Sequence, residues 1–457
     1  MARRNRSPLS SLTQVPEVRE AAAALVAAVE AASSEQELDA DAYARSISAV
    51  ERTRGRPLMF PMLASGTGRG ARVRLADGSE KLDFIGGIGV YAFGHSDRDL
   101  LEHAVIAAAA DTVFQGHLLP GPEYLRLSRL LVKHAGRRIR HGWLALSGAM
   151  ANENALKLIY QKHAPADRVV VFERAFHGRT SVMAEMSDRP AFRDGQPLRG
   201  NVLHVPFYDP GAPDSTVRSL NVLDSHIRRH PGQIAGMCFE LVQGEGGLRT
   251  APREFFAALM ARCKKARIAV WIDEVQTFAR TGELFAYRTL DLDEYVDVVT
   301  VGKVLQGSAT LFTHRYNPRP GLIAGTYAGS TVGMAVGARI IERLESEGYL
   351  GDKGRVSVLA RRIDARFASL QKRVPRTIGE RSGVGAMQAF SVFDGSPEAT
   401  RKVLDACFEE GLILLTAGSN PTMLRMLPPV NVTDEELEAA FAVLEKALRR
   451  VAEELDA

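Results

Sequence analysis

The chain is poor in cysteine. Its three, Cys238, Cys263 and Cys407, stand far apart in 457 residues and in no CxxC spacing. That argues against a disulfide framework and a zinc ribbon, and predicts reduced core thiols in a cytoplasmic protein. Charge of one sign is also scarce. With 58 basic and 54 acidic residues the balance is only +4, too small for a nucleic-acid or anionic-membrane surface, so a small, anionic partner is expected. Long hydrophobic runs are missing too. The start Met-Ala-Arg-Arg resembles a twin-arginine signal, but Glu17, Arg19 and Glu20 interrupt the segment after it. The apolar run Ala21–Val29, bracketed by Glu20 and Glu30, covers about half a membrane span and reads as an alanine-rich helix. Neither export nor a membrane partner is expected, and the first ten residues read as a mobile tail. No GxxxxGK[ST] occurs, which argues against a nucleoside triphosphate, and the run Gly66-Thr-Gly68-Arg-Gly70 follows no apolar strand and opens no helix.

What is there is a large core and a recurrent α/β pattern. The length exceeds one ordinary domain, and hydrophobic residues make up 46%, enough for two cores. Residues 71–84 read as a hairpin turned at Asp77-Gly78. Short apolar strands follow at Trp143–Leu146, Arg168–Phe172, Val202–Val205, Ile234–Val242, Ile268–Ile272 and Val296–Val301, with helices expected at Met150–His163, Asp214–Arg229 and Pro252–Lys265. After Gly333 come helices at Ala335–Glu347 and Arg355–Lys372, a strand at Met387–Val392 and a last helix at Asp434–Leu455. The expectation is an α/β fold with a mostly parallel central sheet covered by helices on both faces, plus a smaller α+β domain from the two chain ends. The expected boundaries are 1–85 for an N-terminal segment packing with the small domain, 86–333 for the large domain and 334–457 for the small one.

The chemistry concentrates at predicted strand ends. Asp273 follows one apolar strand, and Lys303 follows Gly302 after another. An amine and a buried anion at that rim suggest a pyridoxal-phosphate site: the lysine holds the aldehyde as a Schiff base, the carboxylate keeps the pyridine nitrogen protonated. Alone, Lys303 also fits an ordinary solvated lysine. Ser147-Gly148-Ala149 joins a strand to a helix start, which makes either an anion site or a simple capping turn. In Phe176-His177-Gly178-Arg179, the ring could stack on a planar ligand or sit in the core, and His177 could be a satisfied structural histidine. Arg179 could grip a carboxylate bidentately or pair with a surface acid.

Together these pieces resemble a family. Ser147–Ala155, Phe176–Thr180, Glu240–Gly247, Asp273–Thr277 with Arg280–Gly282, Gly302-Lys303, Gly325–Tyr327 and Leu424–Pro429 occur in the order seen in class III aminotransferases, fold-type I enzymes that use pyridoxal 5'-phosphate. The resemblance implies catalytic roles for Lys303, as the Schiff-base lysine, and for Asp273, paired with the pyridine nitrogen. Gln276 would bond the ring hydroxyl, Phe176 would stack on the ring, and Gly148 and Ala149 would offer amides to the phosphate. His177 and Glu240 complete the implied cofactor-binding set, and Thr326 would reach the cofactor phosphate of a neighbouring subunit, so a homodimer with shared active sites is implied. Arg179 and Arg425 resemble the family's carboxylate-binding arginines, and Glu245 the acid that masks Arg425 when a donor with a distal amine is bound. The implied reaction moves an amino group from a ω-amino acid of the lysine, ornithine, acetylornithine or 4-aminobutyrate type to 2-oxoglutarate, by ping-pong chemistry. The alternatives are a decarboxylase or an isomerase or racemase on the same fold, and a non-catalytic binding protein.

The chain departs from the family pattern in places. Ala149 stands where many members carry Ser or Thr, the turn Gln276–Arg280 is one residue short, and Val304–Phe312 replaces a glycine-rich, proline-containing run. Ser330-Thr331 stand for Asn-Pro. In the last two features the chain is more similar to lysine ε-aminotransferases than to acetylornithine enzymes. The depth of the pocket is expected to depend on loops around Tyr91, Phe93 and Thr313–Gly321.

Overall fold

The computed structural model describes residues 11–33, 37–112, 116–418 and 422–456. The tail expected at residues 1–10 lies outside them. The alanine-rich segment is a helix, Pro16–Ser33, and no helix among the described residues is long and apolar enough to cross a membrane.

Among the described residues, seventeen strands form four sheets. The first three, β1 (Ala64–Arg69), β2 (Arg72–Leu75) and β3 (Glu80–Asp83), are antiparallel neighbours. The expected hairpin is β2–β3, and the glycines Gly66 and Gly68 lie in the edge strand β1. Position 68 has room for glycine alone, because a Cβ there would meet the Arg72 carbonyl at 2.3 Å.

The central sheet uses β4 (Ile139–Ala145), β5 (Arg168–Phe172), β6 (Val202–Val205), β7 (Ile234–Phe239), β10 (Ala269–Glu274), β11 (Val298–Val301) and β12 (Ser308–Thr313) in the order β4-β12-β11-β10-β7-β5-β6. A short hairpin, β8 (Val242–Gln243) with β9 (Arg249–Thr250), follows β7. The strand expected over 234–242 is thus broken in two. Strands β7, β10 and β11 are buried at every residue, as strands covered on both faces must be, and this is why they read as continuous apolar runs. All pairings are parallel except those of β12, which lies antiparallel between β11 and β4. Sequence reading misses β12, since Ser-Ala-Thr-Leu-Phe-Thr alternates over only four residues and is buried on both faces. The expected mostly parallel central sheet is therefore present.

The remaining strands are β13 (Ile378–Val384), β14 (Met387–Val392), β15 (Leu412–Ile413), β16 (Leu415–Ala417) and β17 (Met423–Met426). They give the sheet β13-β14-β17-β16, while β15 pairs in parallel with β3 and so joins residues 64–83 to the C-terminal region.

Candidate active site

The carboxyl ends of the parallel strands open into a cleft of about 660 Å³. Parallel pairing sets Asp273 beside Thr300 near the ends of β10 and β11, and Lys303 follows after Gly302. Lys303 has φ +49°, a left-handed conformation that a non-glycine residue adopts at a cost, held here by the short turn Lys303–Leu305. The cleft is lined by Gly148, Ala149, Phe176, His177, Arg179, Glu240, Glu245, Asp273, Gln276 and Lys303. Residues far apart in sequence therefore converge.

Asp273 is buried and well supplied with donors. Its Oδ1 accepts from Val275 N at 3.0 Å, and its Oδ2 from His177 Nδ1 and Asn152 Nδ2 at 2.8 Å each. Burial alone would lower the His177 pKa, but the hydrogen bond and charge of Asp273 outweigh it and hold the imidazole above its ordinary value. Glu240 accepts from Phe176 N at 2.8 Å and Gly244 N at 3.2 Å, tying the loop that carries the ring to the loop that precedes Glu245. Burial pushes the Glu240 carboxyl up to about 7. Lys303 moves the other way: burial first, and then the Arg425 charge, lower its amine to about 8.

Helix Gly148–His163 begins at the cleft, capped by Ser147, whose oxygen accepts from Met150 N at 3.3 Å. Gly148 is required by close packing, since a Cβ there would lie 2.6 Å from Val275 Cγ1. Arg425, buried on β17, donates to Gly244 O at 3.0 Å and to Glu245 Oε1 at 2.7 Å. It stands behind Glu245 and does not line the cleft. Thr326 is exposed and lies outside the cleft lining.

Two loop expectations need correction. Tyr91 lines the cleft, but Phe93 is buried against Tyr349, with ring centroids 5.3 Å apart. The segment Thr313–Gly321 packs on the far end of the helix that starts at Gly148: Asn317 O and Arg319 N both bond Gln161 at 2.8 Å. That end is roughly 20 Å from the helix N-terminus.

Sequence reading also misses two residues. Asn152 is a donor to Asp273, and its signal is a polar side chain on a helix face otherwise formed by Ala151, Ala155, Leu156 and Ile159. Arg280, in the shortened turn, is fully buried and its Nη1 donates to Pro428 O at 2.9 Å. Its Nε and Nη2 have no partner among the described residues, and burial lowers it to about 10.

Comparison with known proteins decides the family. A sequence model of the class-III aminotransferases matches residues 56–448. The chain is a class III aminotransferase. Its relatives include a probable 4-aminobutyrate aminotransferase of Bacillus subtilis, 31% identical over 84% of this chain and 92% of that protein. A 5-aminovalerate aminotransferase of Pseudomonas putida is 30% identical over 89% and 98%. The lysine aminotransferase of M. tuberculosis superimposes with a TM-score of 0.79 over 89% of this chain and 99% of its own, at 24% identity, a likeness of fold.

Class III aminotransferases depend on pyridoxal 5'-phosphate, and the cleft of this aminotransferase fits that group. A carboxylate offers roughly four acceptor positions, and three donors occupy Asp273, leaving one for a pyridine N–H. The buried Gln276 Oε1 has no partner among the described residues and is free for a ring hydroxyl. The helix N-terminus at Gly148 and Ala149 offers amides and a favourable dipole to a phosphate.

Proposed function

We propose that this aminotransferase moves the amino group of a ω-amino acid, of the lysine, ornithine, acetylornithine or 4-aminobutyrate type, to 2-oxoglutarate, giving glutamate. The observation that carries the reading is the Arg425–Glu245 ion pair at 2.7 Å. With Glu245 on Arg425 that guanidinium is neutralised, and the cleft accepts a donor whose amine-bearing carbon carries no carboxylate. With Glu245 turned away, Arg425 and Arg179 can grip the two carboxylates of glutamate or 2-oxoglutarate. One pocket then serves both half-reactions. The names of the 4-aminobutyrate and 5-aminovalerate relatives support a donor of this kind.

The cofactor, when bound, supplies the electron sink for the carbon that loses its proton. Lys303 anchors its aldehyde and, as a neutral amine, takes the proton from the amine-bearing carbon of the substrate. Asp273 holds the pyridine nitrogen, with His177 and Asn152 fixing the carboxylate in turn. Gln276 takes the ring hydroxyl, and Phe176 covers the ring, its backbone N–H fixed by Glu240. Gly148 and Ala149 take the phosphate, joined by Thr326 of a second copy. The exposure of the apolar Leu118, Leu146 and Tyr327, the last of them next to Thr326, supports a homodimer with shared sites. We place the cofactor domain at 86–333 and the small domain in 1–85 with 334–457, a division supported by the β3–β15 pairing, and the enzyme in the cytoplasm.

The test is a panel of ω-amino acids with 2-oxoglutarate, measuring glutamate formed, beside the mass of the particle in solution. Glutamate from at least one donor and a dimeric mass are expected. Carbon dioxide release or a racemised product without glutamate would replace the reading with the decarboxylase or isomerase alternative.

A further inference from the structure

The Glu245 carboxylate stands between two guanidinium groups. Its Oε1 accepts from Arg425 Nη2 at 2.7 Å, while its Oε2 lies 3.6 Å from Arg189 Nη1, near enough for charge attraction and too far for a hydrogen bond. The two arginines differ in setting. Arg425 is buried and its Nη1 is held by Gly244 O, so it cannot follow a moving carboxylate. Arg189 keeps 32% of its side chain exposed and caps the turn Pro190–Phe192. Its guanidinium carbon lies 4.8 Å from the Phe192 ring centroid, and the same ring carries Arg179 at 4.2 Å. The ring thus holds Arg189 beside Glu245 while leaving its N–H donors available.

We propose that Arg189 is the receiving partner of Glu245, the cation to which the carboxylate turns when a dicarboxylate claims Arg425. This rests on the reading that Arg425 binds a carboxylate of glutamate, the one on its amine-bearing carbon. A Glu245 leaving Arg425 with no second cation would give up its ion pair in a partly enclosed cleft, and the dicarboxylate would have to offset that loss from its own binding. Arg189 narrows the gap between the two positions of Glu245, so that neither substrate class is shut out. It acts through Glu245 and is a positioning residue.

The test uses the holoenzyme and two unreactive ligands of equal length: glutarate, which needs Arg425 uncovered, and pentanoate, which does not. Dissociation constants are read from the cofactor's absorbance for wild type, Arg189→Gln, Arg189→Lys, Glu245→Ala and the double variant Arg189→Gln/Glu245→Ala. Arg189→Gln is expected to weaken glutarate roughly three- to fivefold while pentanoate stays within about twofold, as for a partly exposed ion pair. Arg189→Lys should restore most of the loss, and Arg189→Gln should change nothing once Glu245 is removed. Equal weakening of both ligands, or a loss that persists without Glu245, overturns the proposal. If wild type prefers glutarate and Arg189→Gln leaves that preference intact, the role of Arg189 fails alone. If wild type binds glutarate no better than pentanoate, the role of Arg425 fails and that of Arg189 with it.

Discussion

Asn152 joins two strand ends through one side-chain amide, donating to Asp273 Oδ2 at 2.8 Å and to the His177 carbonyl at 2.7 Å. Asp273 lies at the end of β10, and His177 in the loop after β5. The helix Gly148–His163 that offers its first amides to the cleft therefore also fixes the direction of the buried carboxylate.

Removing that amide leaves a buried carboxylate and a buried carbonyl each one donor short. Asn152→Ala is expected to cost about 1–3 kcal/mol of stability, read as a lower melting temperature of the cofactor-free protein. The same variant should lose cofactor faster on dialysis, since Asp273 gains freedom to rotate. Unchanged melting and unchanged cofactor retention would show that His177 and the Val275 amide suffice to hold Asp273.

Lys303→Ala removes the only lysine amine among the residues lining the cleft. Transamination should fall by roughly 10³-fold or more, since both the cofactor anchor and the proton carrier are lost. The fold should be undisturbed, because the variant removes a buried amine whose desolvation costs stability. The pair of measurements is turnover and melting temperature: retained turnover would remove Lys303 from the chemistry, and collapse of both would make its role structural.

Gly148→Ala tests the phosphate end. The added carbon would lie 2.6 Å from Val275 Cγ1 and 3.0 Å from Cγ2, so the helix start must retreat from the end of β10. Cofactor affinity should fall roughly tenfold, the scale of a sub-ångström misplacement of binding groups, with a smaller effect on turnover at saturating cofactor. Equilibrium titration of the cofactor-free protein measures it.

Much of this is legible in the sequence where one local rule acts alone. Strands β5 and β6 run where the apolar runs Arg168–Phe172 and Val202–Val205 predict, because each is flanked by polar turns. The order of motifs likewise brings Lys303, Asp273 and Gln276 to one rim, since parallel strands must end on the same side. β12 is illegible because half of Ser308–Thr313 is hydroxylated and only its neighbours β11 and β4 make it a strand. Phe93 and Thr313–Gly321 mislead for a related reason: an aromatic or a proline-containing loop says nothing about which end of a helix it packs against. Asn152 needs a contact to Asp273, and Arg189 one to Glu245, neither of which local pattern reveals.

The lowered Lys303 pKa gives a pH dependence with a definite sign. Burial, then Arg425, bring the amine from its ordinary 10.5 to about 8, so folding penalises the ammonium form. Between about pH 8 and 10.5 the unfolded chain holds a proton that the folded, cofactor-free chain has released, so this penalty is present in full below pH 8 and is relieved as pH rises through the window. The sign follows from proton counting: the unfolded state binds more protons there, and stability climbs with pH. Reactivity follows the same titration, because only the neutral amine attacks the cofactor aldehyde. Cofactor capture by the cofactor-free enzyme, followed by absorbance, should therefore climb with pH and level off above about 8. Arg425→Met should move that midpoint upward, since it removes a cation that disfavours the ammonium and leaves Glu245, which favours it, without its partner. The shift should be smaller than the total lowering, because burial, the larger cause, is untouched. A capture rate still rising at pH 10 in the wild type would mean that Lys303 titrates as a solvated lysine and that the buried cleft does not prepare it for catalysis.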